Sequence, residues 1–401
     1  MTGALNDIRV LDLSHVLAGP TTTMILADLG AEVIHVEPPH GDDAREYGPF
    51  VGEVDKDHSG YFISLNRNKK SIVLNLKQEK GKEILRELIK ISDVIIENFR
   101  PGTMTALGFS WEEVQKINPR IIYASISGFG HEALPGYVSR PAYDIVAQAY
   151  SGLMSITGPE NGPPTRVGSS IGDIVAGHQA AIGILAALHY RKQTGKGQRY
   201  DGSMVDGLFS IMENAVVRYT ISDEIPKPVG TAHPTITPFQ AFLTKEGWLV
   251  IAIGNDKLWT QFCTVLNRKD LMGDARFNTN EIRTKNRNAL IDILTGELKQ
   301  KTAIEWAAIF EKEGIPCSLV NNIQQICDDP QTKLRNMLVE IDQKNVGRMK
   351  IAGSPFHLSE TPGAVYQGAP ALGEHTAEIL SSLLKKTDGE IALLRKEGII
   401  N

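Results

Sequence analysis

The segment Arg166-Val-Gly-Ser-Ser-Ile-Gly-Asp173 gathers two glycines, two small hydroxyl residues and one acid, and it runs directly into the apolar stretch 174–190. An acid at that junction stands at the positive end of a helix, where orphan N–H groups and the macrodipole favour an anion. Asp173 is therefore expected to be ionised and available. A simple helix cap accounts for an Asp there equally well. It accounts less well for Gly168 and Gly172, which let a backbone or a ligand come close. A second set of candidates binds rather than reacts. His15 lies in a strand-to-helix turn whose exposed N–H groups suit a phosphate. Lys77, Asn98 and Arg100 each follow an inferred strand on the same sheet edge. Each alone reads as a solvated surface group; converging with His15, they would suit a polyanionic nucleotide tail. Tyr143 opens a helix 30 residues before Asp173, and a half-buried core aromatic is an equal reading of it.

The elements that must hold these residues alternate strand and helix. Short apolar strands are expected at 8–13, 31–36, 71–76, 93–97, 121–127 and 198–201, with helices at 21–29, 79–92, 111–117 and 143–154 between them. This is the pattern of an α/β fold with a doubly wound parallel sheet, whose ligands bind beyond the carboxyl ends of the strands. In the helix after Asp173, Ile174, Gly177, Ala181, Leu185 and Leu188 recur every three or four residues and predict one buried face. Gly195 stops it. The grain changes after the Pro/Gly-rich stretch 223–234: a hairpin at 239–253 and three helices follow. The expected organisation is a large domain over 1–200 completed by about 326–401, a linker helix in 201–227, and an inserted α+β domain over 228–325.

A length of 401 residues, 42% hydrophobic and 22% charged residues fit ordinary globular domains. A net charge of −5 speaks against nucleic acid, and no Lys/Arg block suggests an anionic membrane. No run of about 18 apolar residues appears, and MTGALNDIRV lacks the pattern of a signal peptide. Cys263, Cys317 and Cys327 form no CxxC pair and read as reduced cytoplasmic thiols; no metal site is expected. Glu37 at the end of the second strand resembles a ribose-binding acid, but the turn at 14–20 lacks GxGxxG. Gly128-Phe-Gly-His-Glu-Ala133 spells GxGxxA with prolines following, a weak dinucleotide signal. Walker A, HExxH and GxSxG motifs are absent.

The ordered motifs Val10-Leu-Asp-Leu-Ser-His-Val-Leu-Ala-Gly-Pro20, Leu29-Gly-Ala-Glu-Val-Ile-His-Val-Glu37, Asn68-Lys-Lys-Ser-Ile72, Glu97-Asn-Phe-Arg-Pro-Gly102, Gly172-Asp173, Gly195-Lys-Gly-Gln198, Gly314-Ile-Pro-Cys317 and Leu372-Gly-Glu-His375 resemble the family III CoA-transferases, with their relatives the α-methylacyl-CoA racemases. The resemblance spans nearly the whole chain. It implies a Rossmann-like large domain, a smaller inserted domain and an interlocked dimer, either of two identical chains or with a homologous partner subunit. It implies that Asp173 attacks an acyl-CoA thioester and that His15, Val16, Ala18, Leu74, Lys77, Asn98 and Phe99 bind CoA, with no permanently held cofactor; the substrates are CoA thioesters and carboxylic acids. Two basic positions of formyl-CoA transferases fall on Pro38 and Ala106, leaving Arg45, Arg100 and Arg140 as replacements. The glycine-rich loop of oxalate-type sites is replaced by Pro234–Gln240, so oxalate is not the expected acceptor; succinyl-CoA is the expected donor. The racemase histidine falls on Tyr143, and a phenol of pKa about 10 accepts protons poorly. Transferase is favoured over racemase or epimerase, and over a non-catalytic CoA-binding subunit, since Asp173 is intact.

Overall fold

The computed structural model describes residues 3–52, 55 and 57–401. Strands β1 (Arg9–Asp12), β2 (Glu32–Glu37), β3 (Lys69–Val73), β4 (Val94–Glu97), β5 (Ile122–Ser127) and β6 (Gln198–Ser203) form one parallel sheet in the order β3-β2-β1-β4-β5-β6. The order reverses between β1 and β4, which opens a crevice beyond their carboxyl ends. Successive side chains point to opposite faces. Leu11, Ile34, Ile95 and Tyr123 enter one core, closed by Ile379, Leu380, Ile391 and Leu394 near the end of the chain. Val10, Val33, Val94 and Ile122 enter the other, against Ala176, Ala180 and Ile184. Strands buried on both sides read as short apolar runs, which is why they were legible.

The central helix runs from Ile171 to Thr194 and ends at Gly195, whose φ of 75° makes the left-handed cap. Its buried stripe is Ala176, Gly177, Ala180, Ala181, Ile184, Ala187 and Arg191. Leu185 and Leu188, expected inside, are only partly buried at the margin of that core. Small residues turn inward because the helix Ala18–Asp28 lies close. A methyl group on Gly177 would sit 2.8 Å from the Ala18 carbonyl oxygen, and Thr22 Oγ1 donates to the Gly177 carbonyl at 3.0 Å. The larger residues are displaced outward, and Ile182 is 67% exposed. By length and composition this helix could cross a bilayer, its best window averaging a hydropathy of 1.5. Its apolar run is nonetheless broken by His178, Gln179 and His189. The helix is instead packed on the sheet, with Arg191 pairing with Asp93 at 2.9 Å.

Contacts divide the chain into two units: Met1–Leu153 with Val167–Asn214 and Pro330–Asn401, and Met154–Arg166 with Ala215–Asp329. The second includes Met154–Arg166, a stretch that by sequence lies in the large domain. It is built on antiparallel β7 (Phe239–Leu243), β8 (Trp248–Ala252) and β9 (Cys317–Leu319), around Phe242, Leu249, Trp259, Phe262 and Phe310. The linker helix expected within 201–227 is two helices, Met204–Ser210 and Asn214–Ser222, with Glu213 at a φ of 47° between them. In the first unit β10 (Leu338–Gln343) and β11 (Gly347–Ala352) form a hairpin.

Candidate active site

Asp173 occupies the third position of the central helix, after Ile171 and Gly172, and the cap position is Ser170. Neither residue caps the helix: Ser170 makes no side-chain cap bond, and the Asp173 carboxylate has no hydrogen bond or ion pair among the described residues. The capping explanation therefore falls. So does the expectation that the helix dipole keeps this acid ionised. Burial, and secondly the charge of Asp144, push its pKa up to about 7. Two carboxylates in one partly dry site cannot both ionise freely.

Asp144 fixes the approach to the helix. It is buried, accepts the Gly172 N–H at 2.8 Å and accepts from Gln148 Nε2 at 2.7 Å. Gln148 Oε1 in turn accepts the Val167 N–H at 2.9 Å. The N–H of Gly172 is thus already spent and is not open to a developing oxyanion. Asp144 and Gln148 were missed by sequence reasoning. Their i, i+4 spacing on the short helix Asp144–Tyr150 was the available signal, since it puts both side chains on one face. Tyr61 was missed as well; burial and the charge of Asp173 push its phenol up to about 12.

Two cavities in the first unit receive the expected residues. The smaller, about 360 Å³, is lined by His15, Val16, Ala18, Asn98, Phe99, Arg100, Tyr143 and Asp173. The larger, about 690 Å³, is lined by Leu74, Lys77, His15 and Phe99 among others. His15 and Phe99 border both, so the cavities adjoin. The turn after β1 is locked to the turn after β4: the His15 N–H donates to Asn98 Oδ1 at 2.9 Å, and Asn98 Nδ2 donates to the His15 carbonyl at 2.8 Å. Val16 has a φ of 64°, held there by its N–H bonding to the Asp42 carboxylate at 3.1 Å. Lys77 and Arg100 meet no carboxylate among the described residues. Tyr143 is 77% exposed, so it is not a core aromatic.

Arg45 does not replace a phosphate contact. It is fully buried, clamped by Glu37 at 2.7 Å and 2.8 Å and by Asp57 at 2.8 Å. Its guanidinium lies 3.7 Å over the Phe62 ring. The same clamp removes Glu37 as a ribose acid: burial raises its pKa, but Arg45, His35 and Ser71 more than offset this and hold it at about 2. The GxGxxA stretch opens no helix either, and the His131 and Glu132 N–H groups both end on Asp201. Beside the larger cavity is a buried knot. Asp12 accepts from Thr23 Oγ1 at 2.6 Å and from Lys69 Nζ at 3.2 Å, and it lies 3.3 Å from His35 Nδ1. Burial would raise the pKa of Asp12, yet Lys69 and His35 hold it far below the carboxylate range. Among the described residues no group of acids, histidines and cysteines is arranged to hold a metal.

The profile of CoA-transferase family III matches residues 5–376. Human succinyl-CoA:glutarate CoA-transferase is 39% identical over 400 residues, covering 99% of this chain and 90% of that protein. Acetyl-CoA:oxalate CoA-transferase of Acetobacter aceti is 42% identical over 385 residues, covering 94% and 95%. A CAIB/BAIF family protein from Brucella suis has a solved structure that superposes with a TM-score of 0.84 at 36% identity, over 96% of this chain and 100% of that one. With near end-to-end matches and a shared fold, the chain belongs to CoA-transferase family III.

Proposed function

We propose that this protein moves CoA from an acyl-CoA, succinyl-CoA foremost, to a free carboxylic acid, with Asp173 as the nucleophile. The observation that carries the reading is a half-buried carboxylate without a partner, at the wall of a cavity that adjoins one large enough for a nucleotide. Asp173 Oδ attacks the thioester carbonyl, the C–S bond breaks, and a mixed anhydride and CoA thiolate result. The thiolate attacks Asp173 Cγ and releases the donor acid, leaving an aspartyl–CoA thioester. The acceptor carboxylate attacks Cγ and expels the thiolate, which then takes the acceptor acyl group and frees Asp173. No net proton is consumed, and thioester energy is conserved. A raised pKa helps, because the anion that forms is a stronger nucleophile than an exposed carboxylate. Partial exclusion of water limits hydrolysis of the anhydride.

In this proposal Lys77 and Leu74 hold the nucleotide end, His15, Val16, Ala18, Asn98 and Phe99 line the path, and Arg100 and Tyr143 complete the smaller cavity. Likeness to an oxalate-acting relative returns oxalate to the acceptor panel. A dimer is part of the reading, supported by apolar residues that water would otherwise meet: Ile182, Phe209 and Ile211 are all exposed on the first unit. A reducing, cytoplasmic setting agrees with three unpaired cysteines. Incubation with succinyl-CoA followed by hydroxylamine should mark Asp173 as a hydroxamate by peptide mass spectrometry. An unmarked Asp173 alongside deuterium uptake at the α-carbon would instead establish a racemase.

A further inference from the structure

We infer that Arg140 is a specificity-determining residue: it receives a second carboxylate on the acid exchanged at Asp173, so the site selects dicarboxylic over monocarboxylic acids. This rests on the transferase reading above. Arg140 lines the same 360 Å³ cavity as Asp173 and Tyr143. Its guanidinium stands 5.2 Å from the Phe129 ring, 5.8 Å from Tyr137 and 5.3 Å from Tyr150. Those three rings pack edge to face on one another at 5.0–5.9 Å, so they form a bracket rather than three loose contacts.

An aromatic bracket orients a guanidinium without neutralising it. Several buried arginines of this unit are neutralised: Arg45 by Glu37, Arg67 by Asp28 and Arg191 by Asp93. Arg140 meets no carboxylate among the described residues. Asp173, on the same cavity, makes no ion pair with Arg140 and is perturbed by burial and by Asp144. The cation and the nucleophile therefore line one cavity with no ion pair between them, so each is free to meet one end of a short diacid. Arg100, the cavity's other guanidinium, directly follows Phe99, which borders both cavities; that suits it to the CoA side. Arg140 belongs to another stretch of the lining, 140–143, none of which borders the larger cavity. Its planar fork matches a carboxylate bidentately.

The test compares the wild-type protein with Arg140→Gln and Arg140→Lys. Acetyl-CoA serves as donor, with succinate, glutarate and adipate set against butyrate, pentanoate and hexanoate as acceptors. The wild type should prefer the dicarboxylates. Arg140→Gln should lower kcat/KM for them by about 10- to 100-fold, the worth of a lost charged hydrogen bond, while the monocarboxylates and the KM for acetyl-CoA change little. Arg140→Lys should fall between. Equal losses for both classes, a loss confined to the KM of acetyl-CoA, or a wild type indifferent to the second carboxylate would overturn the assignment. Calorimetric binding of glutarate and pentanoate to wild type and both variants reads the same preference without turnover. Absence of exchange with every acid, from succinyl-CoA as well as from acetyl-CoA, would sink the transferase reading, while the calorimetry still decides the role of Arg140.

Discussion

Asp12 and Asp173 are both carboxylates withdrawn from water in the same unit, and the protein treats them in opposite ways. Asp12 is ringed by Lys69, His35, Thr23 and Ser14, so its charge is satisfied and its proton is lost far more readily than usual. Asp173 has burial and a like charge, Asp144, and no cation to answer them. Burial is the largest influence on each, and it acts in the same direction on both; the partners decide the outcome. A buried acid with partners fixes structure, and one without them stores reactivity.

The contrast can be broken most forcefully by removing each charge. Asp173→Ala should abolish CoA exchange, on the order of 10⁴-fold or more, while the protein still folds. Asp12→Asn should do the reverse, costing about 3–5 kcal/mol by leaving Lys69 and His35 buried without their anion. Chemical denaturation of both variants beside the exchange assay checks the pair. A smaller effect sharpens the comparison. With Asp173 titrating at about 7, kcat/KM should fall as pH drops through that value, because the free enzyme then loses its nucleophile. Asp144→Asn should move this acid limb to lower pH. The smallest effect concerns stability. The folded-state pKa of Asp173 is raised, so the folded state binds the extra proton between about 4 and about 7 and loses stability as pH rises through that window. Asp173→Asn should consequently be more stable than wild type at about pH 8, by about 1–2 kcal/mol after allowing for water in the cavity. The stabilisation from Asp12, whose pKa is depressed, should persist until the pH falls well below the ordinary carboxylate range.

The parallel sheet was legible because strands such as Val94–Glu97 are buried on both faces and read as unbroken apolar runs. The start of the central helix was legible from the glycines before Asp173. Its buried face was not: when nearly every position is apolar, periodicity cannot say which side packs, and the close approach at Gly177 chose the small residues. The hairpin of β10 and β11 escaped notice because its alternation rests on few apolar residues, Ile341 and Ile351 being the buried pair. The positions of His15, Lys77, Asn98 and Asp173 could be reasoned from strand ends and a helix start. The state of Asp173 could not, because it depends on Asp144 and on the absence of a cation, both facts of three-dimensional proximity. Arg45 failed for the same reason in reverse: its sequence neighbours gave no hint of a clamp formed with Glu37 and Asp57.

The two cavities share His15 and Phe99 as a common border. On the function proposed above, a coenzyme held in the larger one by its nucleotide would keep its sulfur on a leash that ends at Asp173. Each return of the thiolate is then an intramolecular event at an effective concentration on the order of millimolar, rather than a fresh capture from solution. Labelled free CoA added during turnover should therefore stay out of the product, and one coenzyme molecule should pass from donor to acceptor without leaving the protein.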